Sequence, residues 1–377
     1  MKFTYIDGEK ICLFSDGAVT EMESAYVKRY RENELRSQKN REWKKRTENM
    51  LFDGMETDEG GVLVKIVSAC SYDGEKIAYA FSVGESAFLY YKYLNDEKQT
   101  EAHILSSNEE TFSSLSLGKD GFAVSMKKGY SADIAVVDAR GDYKRLTDGD
   151  SLDENPSFTF NGDILFNSYA VARDEYNEFV QYMPSEIYRF NVLCEEIETV
   201  LSDENYSFVK PIEKDGALYC IRLEKEKEKK KNIFLTIILI PVRIVQAIIG
   251  FISLFVNIFA GKPLVDSKSE KYRSGGGAVK QPRADERTVA IHNYLVNVNE
   301  QLEKNAKEDG EAGFAPRSFK LMKYENGNAE VLASGVLDYA VLEDGEIIFT
   351  NGKKIFCLKE GKKTKLLNVS FCLNVGV

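Results

Sequence analysis

Lys2-Phe3-Thr4-Tyr5-Ile6-Asp7-Gly8-Glu9-Lys10-Ile11-Cys12-Leu13-Phe14-Ser15-Asp16-Gly17 opens the chain, and Glu346-Ile347-Ile348-Phe349-Thr350-Asn351-Gly352-Lys353-Lys354-Ile355-Phe356-Cys357-Leu358-Lys359-Glu360-Gly361 stands near its other end. Both stretches read as a strand, a turn ending in Gly, a second strand and another turn ending in Gly. Asp-Gly and Asn-Gly accept positive φ and close tight hairpins, and the β-branched and aromatic residues around them build strands. The unit recurs at Tyr72–Tyr79, Gly118–Val124, Phe160–Phe166 and Lys214–Cys220.

Short strands punctuated at even spacing point to a sandwich, a barrel or a propeller. A period of about 40 residues with four strands in each unit selects the propeller. Units fall at about 61–106, 107–150, 151–205, 206–334 and 335–368. Residues 1–24 supply three further strands, and Asn368–Val375 supplies one more. The expectation is an all-β, six-bladed β-propeller over 1–377, carrying helical insertions. Its C-terminal strand would complete the N-terminal blade, which removes two open sheet edges.

Residues 132–166 run strand, D-x-x-G turn, R-x-L-T, spacer and P-S-x-x-x-x-G, on Asp138, Gly141, Arg145, Leu146, Thr147, Pro156, Ser157 and Gly162. This stretch resembles the repeat of TolB-like six-bladed propellers, within the broader WD40-like group. The resemblance is at the level of the repeat and implies the fold. Activity is not implied, because the ring hosts many unrelated functions.

The chain has 377 residues and a net charge of −10, with 43% hydrophobic residues. That acidic balance argues against nucleic acid as a partner. Only two histidines occur in the whole chain, which argues against a multi-His metal site. Six cysteines form no C-x-x-C pair, and most sit in apolar alternation. No basic region followed by an apolar run opens the N-terminus. Together these features predict reduced thiols in a cytosolic compartment.

Three stretches interrupt the repeat, each in a connection that opens on the same face of a propeller. The first, 24–60, holds nine basic residues against three acidic ones between 28 and 46, with no Gly or Pro, and predicts a helix. Its basic face comprises Arg36, Lys39, Arg41, Lys44, Lys45 and Arg46, beside Trp43. That helix reads either as a solvated element lying along the propeller or as a surface for anionic lipid or an acidic partner. The second, about 169–186, carries Tyr176, Phe179, Tyr182 and Met183.

The third, 224–316, holds the most apolar run of the chain. Lys229, Lys230 and Lys231 lead into 233–260, where Ile233, Phe234, Leu235, Ile238, Ile240, Ile244, Ile248, Phe251, Leu254, Phe255 and Phe259 dominate. The run is long enough to span a bilayer once. A single crossing would place strands of one blade in two compartments, and two crossings need about 40 residues. An in-plane helix, a re-entrant hairpin bent at Pro241 and burial in a protein interface remain. Thr236, Arg243, Gln246, Gly250, Ser253 and Asn257 recur at helical spacing, forming a thin polar stripe on an apolar helix. That pattern suits an element sunk in the headgroup boundary of an anionic membrane. Beyond it, Ile291, Tyr294, Leu295, Val298 and Leu302 predict an amphipathic helix over 284–307, with His292 at its boundary.

No nucleophile elbow, Walker loop, G-x-G-x-x-G or H-E-x-x-H is present. No catalytic, cofactor or metal residue is therefore assigned. The sequence predicts a non-catalytic scaffold attached peripherally to the cytoplasmic face of a membrane, binding a protein or small ligand. The alternative is a propeller hydrolase or lyase with a carboxylate or metal site in the central channel.

Overall fold

Tight turns set the architecture. Gly17, Gly129, Gly162, Gly216, Gly327 and Gly361 all stand at positive φ between antiparallel strands. The computed structural model describes residues 1–8, 10–33, 36–37, 64–72, 76–83, 86–94, 101–118, 121–224, 288–309 and 312–377. These residues belong to one unit, Met1–Lys225 with Ala284–Val377.

The strands assemble in groups of four. Group one is Cys372–Gly376, Lys2–Asp7, Lys10–Ser15 and Ala18–Met22, in spatial order, so that the last strand of the chain pairs antiparallel with the first. Group two is Val64–Tyr72, Lys76–Val83, Ser86–Tyr93 and Glu101–Ser107. Group three is Thr111–Leu117, Gly121–Lys128, Ser131–Asp138 and Tyr143–Arg145. Group four is Ser151–Phe158, Ile164–Arg173, Glu186–Asn191 and Glu196–Leu201, bridged to group three at Ala132 and Leu152. Group five is Tyr206–Lys214, Ala217–Glu224, Lys320–Glu325 and Asn328–Ser334. Group six is Asp338–Val341, Ile347–Thr350, Lys354–Lys359 and Lys362–Asn368.

Each group packs its apolar face on the next. Ile11 and Met22 meet Ile77 and Phe81 between groups one and two. Leu89 meets Phe122 and Val124, Ile134 meets Phe166, and Leu165 meets Phe208 and Met322. Ile221 and Leu321 meet Tyr339 and Phe349 between groups five and six. Ala340 and Ile348 of group six then meet Phe3 and Phe14 of group one. Burying each such aliphatic or aromatic side chain stabilises by roughly 1.5–3 kcal/mol.

The repeat residues are structural. Asp138 Oδ1 accepts the backbone N–H groups of Arg140 and Asp142 at 2.8 and 2.9 Å. Gly141 has φ +90°, and a Cβ there would lie 2.2 Å from the Ile104 carbonyl, so only glycine closes this turn. Arg145 reaches Asp133 at 2.8 Å and Glu110 at 2.6 Å, and Thr147 Oγ1 accepts the Ile134 N–H at 2.9 Å.

Two helices are described. Residues 25–33 are helical, here α1, within the expected basic insertion, and residues 36–37 are helical too, with Arg36 exposed. Ser24 caps α1, accepting the Val27 N–H at 3.3 Å. Lys39, Arg41, Trp43, Lys44, Lys45 and Arg46 lie outside the described residues, as does the whole apolar run with its flanking lysines, Lys229 to Phe259. Among the described residues no helix is long and apolar enough to cross a membrane.

The expected helix over 284–307 is corrected. Among its described residues, Thr288–Ile291 and Tyr294–Asn297 form a hairpin, and only Val298–Asp309 is helical, here α2. His292 and Asn293 have φ of 49° and 64°, the two left-handed residues of a two-residue hairpin turn. Period two explains the apolar pattern there: Ile291, Val296 and Val298 are buried, whereas Leu295 is exposed. Asn297 then caps α2 through the Glu300 N–H at 3.1 Å.

Candidate functional site

The first strands of groups four and five each carry a bulge. Ser151–Phe158 shifts register between Glu154 and Ser157, with Asn155 at φ 54°. Tyr206–Lys214 shifts between Val209 and Ile212, with Lys210 at φ 52°. Each left-handed residue precedes a proline, Pro156 or Pro211. Asn167 joins the two bulges: its Oδ1 accepts from Asn155 Nδ2 at 2.9 Å and from the Lys210 N–H at 3.1 Å, and its Nδ2 donates to Ser185 Oγ at 3.2 Å. Ser157 Oγ donates to the Pro211 carbonyl at 2.6 Å. Non-glycine residues in this conformation are uncommon, and such networks hold them there.

These bulged strands line a cavity of about 960 Å³. Its walls come from Thr111–Leu117, Glu154–Phe158, Lys210–Ile212, Asp338–Val341 and the C-terminal strand, and the tip of the 288–297 hairpin also reaches it. Four charged side chains face it: Lys127, Glu154, Lys210 and Asp338.

Lys210 and Asp338 satisfy one another. The ammonium is paired with Asp338 Oδ1 and donates to the Val375 carbonyl at 3.0 Å. Asp338 Oδ2 accepts the Val375 N–H at 2.7 Å. Tyr339 donates to the Lys210 carbonyl at 2.7 Å. His292 also faces the cavity, rather than the outer boundary that the sequence suggested. Its Nε2 sits 2.8 Å from the Leu337 carbonyl, and burial pushes its pKa down, so the ring is neutral at neutral pH. Tyr169 donates to the His292 carbonyl at 3.2 Å and ties the hairpin down.

Glu154 differs from Asp338. Glu154 is half-buried and lines the cavity, and no hydrogen bond from a described residue reaches its carboxyl. Burial pushes its pKa above the ordinary value, against a lowering by the Lys127 ammonium. Lys127 lies opposite Thr111 in register, is half-buried and makes no salt bridge within 4 Å among the described residues. Two opposite charges thus face one space without touching. Among the described residues no three of His, Cys, Asp and Glu come together as metal ligands.

A second feature lies where chain connections gather. Tyr130 stacks on Phe179 with ring centroids 4.2 Å apart, and Tyr182 donates to the Tyr130 carbonyl at 2.8 Å. The second insertion therefore folds as a hairpin, with Phe179–Tyr182 paired on Val171–Arg173. Tyr130, Tyr176, Val180, Met183 and Leu295 remain exposed, all in connections between second and third strands.

From sequence, no cavity residue carries a binding role: Pro156 and Ser157 read as repeat residues, and Ile291 and His292 as part of a helix and its boundary. The signal was the Asn155-Pro156 and Lys210-Pro211 pairs, each an X-Pro step inside a first strand, where a proline marks a bulge.

Neither protein-family models nor curated proteins give a match to this chain. Among solved structures, the chain is similar to tricorn protease at 12% identity and a TM-score of 0.44, covering 99% of this chain and 34% of that one. It is similar to a chain of the nidogen/laminin complex at 6% identity and a TM-score of 0.48, covering 100% and 97%. Pyrococcus horikoshii acylaminoacyl peptidase aligns at 9% identity and a TM-score of 0.39, over 80% of this chain and 39% of that one. The chain thus spans about a third of tricorn protease and about two-fifths of the acylaminoacyl peptidase.

Proposed function

We propose that the strand groups form a six-bladed β-propeller, closed by the pairing of the terminal strands, whose central cavity binds a small polar ligand without chemistry of its own. The cyclic order of the apolar seals supports the ring, since group six packs on group one as each other group packs on its successor. The observation that carries the binding role is the pair Glu154 and Lys127, charged side chains that face a 960 Å³ cavity and make no hydrogen bond or salt bridge through their charged ends with a described residue. Buried charges are ordinarily paired, so an unpaired one in a cavity marks a place for a ligand.

The propeller is held at the cytoplasmic face of a membrane by residues 233–260, as a peripheral or re-entrant element on anionic lipid. The apolar composition of that run supports this reading. So do the exposed Tyr130, Tyr176, Val180, Met183 and Leu295, which lie in connections equivalent to the one that carries the run. Fractionation of cells producing the intact chain or a form lacking 233–260 tests the attachment. The intact chain sediments with membranes and the shortened form does not; sedimentation of both overturns it.

One observation favours the alternative of a hydrolase or lyase. Glu154 is a half-buried carboxyl whose pKa is pushed up by desolvation, the direction that suits a general acid. A stoichiometric divalent ion in the purified protein would support that reading.

A further inference from the structure

Charge accounting within the cavity narrows the ligand. Lys210 and Asp338 neutralise one another and spend their hydrogen bonds on Val375. His292 is bonded to the Leu337 carbonyl. The charged side chains left to a ligand among the described lining residues are the carboxylate of Glu154 and the ammonium of Lys127, and the hydroxyl of Thr111 stands opposite Lys127 in register. An isolated anion would satisfy Lys127 and leave Glu154 facing it, and an isolated cation would do the reverse. A molecule carrying both signs satisfies both, and its own charges cancel on entering a low-dielectric space.

We propose that the cavity takes a small zwitterion, a free α-amino acid or a short peptide, with its ammonium on Glu154 and its carboxylate on Lys127 and Thr111. This deepens the ligand-binding reading and rests on it, but it is independent of membrane attachment. The volume lies at the upper end of small-molecule sites, roughly 300–1,000 Å³, so either source fits. Charge-assisted hydrogen bonds at both ends supply selectivity: an amine without the carboxylate, or an acid without the ammonium, leaves one protein charge uncompensated.

The test is calorimetric titration of the intact chain with the individual proteinogenic amino acids and with triglycine. Each ligand that binds is compared with its matched amine and its matched carboxylic acid. Expected is binding of at least one amino acid or of triglycine, weakened about tenfold or more by removing either charge from the ligand. Glu154→Gln and Lys127→Met are expected to weaken it by a similar factor, with melting temperatures showing both variants folded. Preference between free amino acids and triglycine identifies the source. The proposal is overturned if neither class binds, or if the matched amine or acid binds as well as the zwitterion. The ligand comparison uses the native chain, so it stands even where a variant fails to fold. Membrane sedimentation that persists while binding is absent would sink this inference alone; sound binding with no sedimentation would sink only the attachment.

Discussion

Asp338 accepts the backbone N–H of Val375 through Oδ2 at 2.7 Å, and so fastens the last strand of the chain to group six. Lys210 completes the joint from group five, paired with Asp338 and donating to the Val375 carbonyl at 3.0 Å. Three stretches far apart in sequence meet here in an ion pair whose carboxylate is buried and whose ammonium is half-buried. Asp338→Ala leaves the Lys210 ammonium without its counter-charge and the Val375 N–H without an acceptor. The expected loss is about 3–5 kcal/mol in urea unfolding, with a smaller loss for Asp338→Asn, which still accepts from Val375. Equal losses for the two would contradict the assigned role.

Glu101 plays a comparable part at the basic insertion. Its carboxylate accepts from the Ala25 and Tyr26 N–H groups at 2.9 and 3.3 Å, from Ser24 Oγ at 3.3 Å and from Tyr79 at 2.8 Å, at the N-terminus of α1. A carboxylate there complements both the free N–H groups and the helix dipole. Glu101→Ala is expected to cost about 1–3 kcal/mol. Amide exchange over residues 25–33 should quicken more than exchange over Ile347–Thr350.

Glu154 gives stability a distinctive pH dependence. Burial raises its pKa in the folded chain above the ordinary carboxyl value, so folding favours the protonated form. Its contribution is fully present below the ordinary carboxyl range and is lost as pH rises through the folded pKa. Glu154→Gln should therefore melt higher than the native chain at neutral pH. That gap should narrow as pH falls into the ordinary carboxyl range. A gap constant across pH, or of opposite sign at neutral pH, contradicts the burial of this carboxyl.

Asn167 holds both bulges through one side chain. Asn167→Ala removes acceptors from Asn155 Nδ2 and from the Lys210 N–H, with an expected loss of about 2–4 kcal/mol, taking roughly 1–3 for each buried group left unsatisfied and partial relaxation. Because Lys210 and Asn155 line the cavity, ligand affinity should fall with it, whereas Ala substitution at the exposed Leu193 should change neither.

The strand pattern was legible because turn chemistry is local. The D-x-x-G and R-x-L-T residues spell out a turn and its clamps within a few positions, and the Gly-terminated hairpins fall where the repeat predicts. The 288–297 hairpin was missed for a definite reason: Ile291, Tyr294, Leu295 and Val298 fit a helical stripe by spacing. The left-handed His292-Asn293 turn, which breaks that stripe, carries no glycine to announce it. The cavity was illegible because Lys127, Glu154, Lys210 and Asp338 come from separate groups and no spacing joins them. The membrane assignment rests on the composition of 233–260, which lies outside the described residues.

Flotation of the purified intact chain with protein-free vesicles tests the proposed attachment most directly. Vesicles containing phosphatidylserine and vesicles of phosphatidylcholine alone are compared, each with the intact chain and with a form in which a Gly-Ser linker replaces 233–260. The account predicts that the intact chain floats with the anionic vesicles, floats less with the neutral ones and less again at high salt, and that the linker form stays at the bottom of the gradient. Failure of the intact chain to float with anionic vesicles, or flotation of the linker form alongside it, would contradict attachment through this segment to lipid.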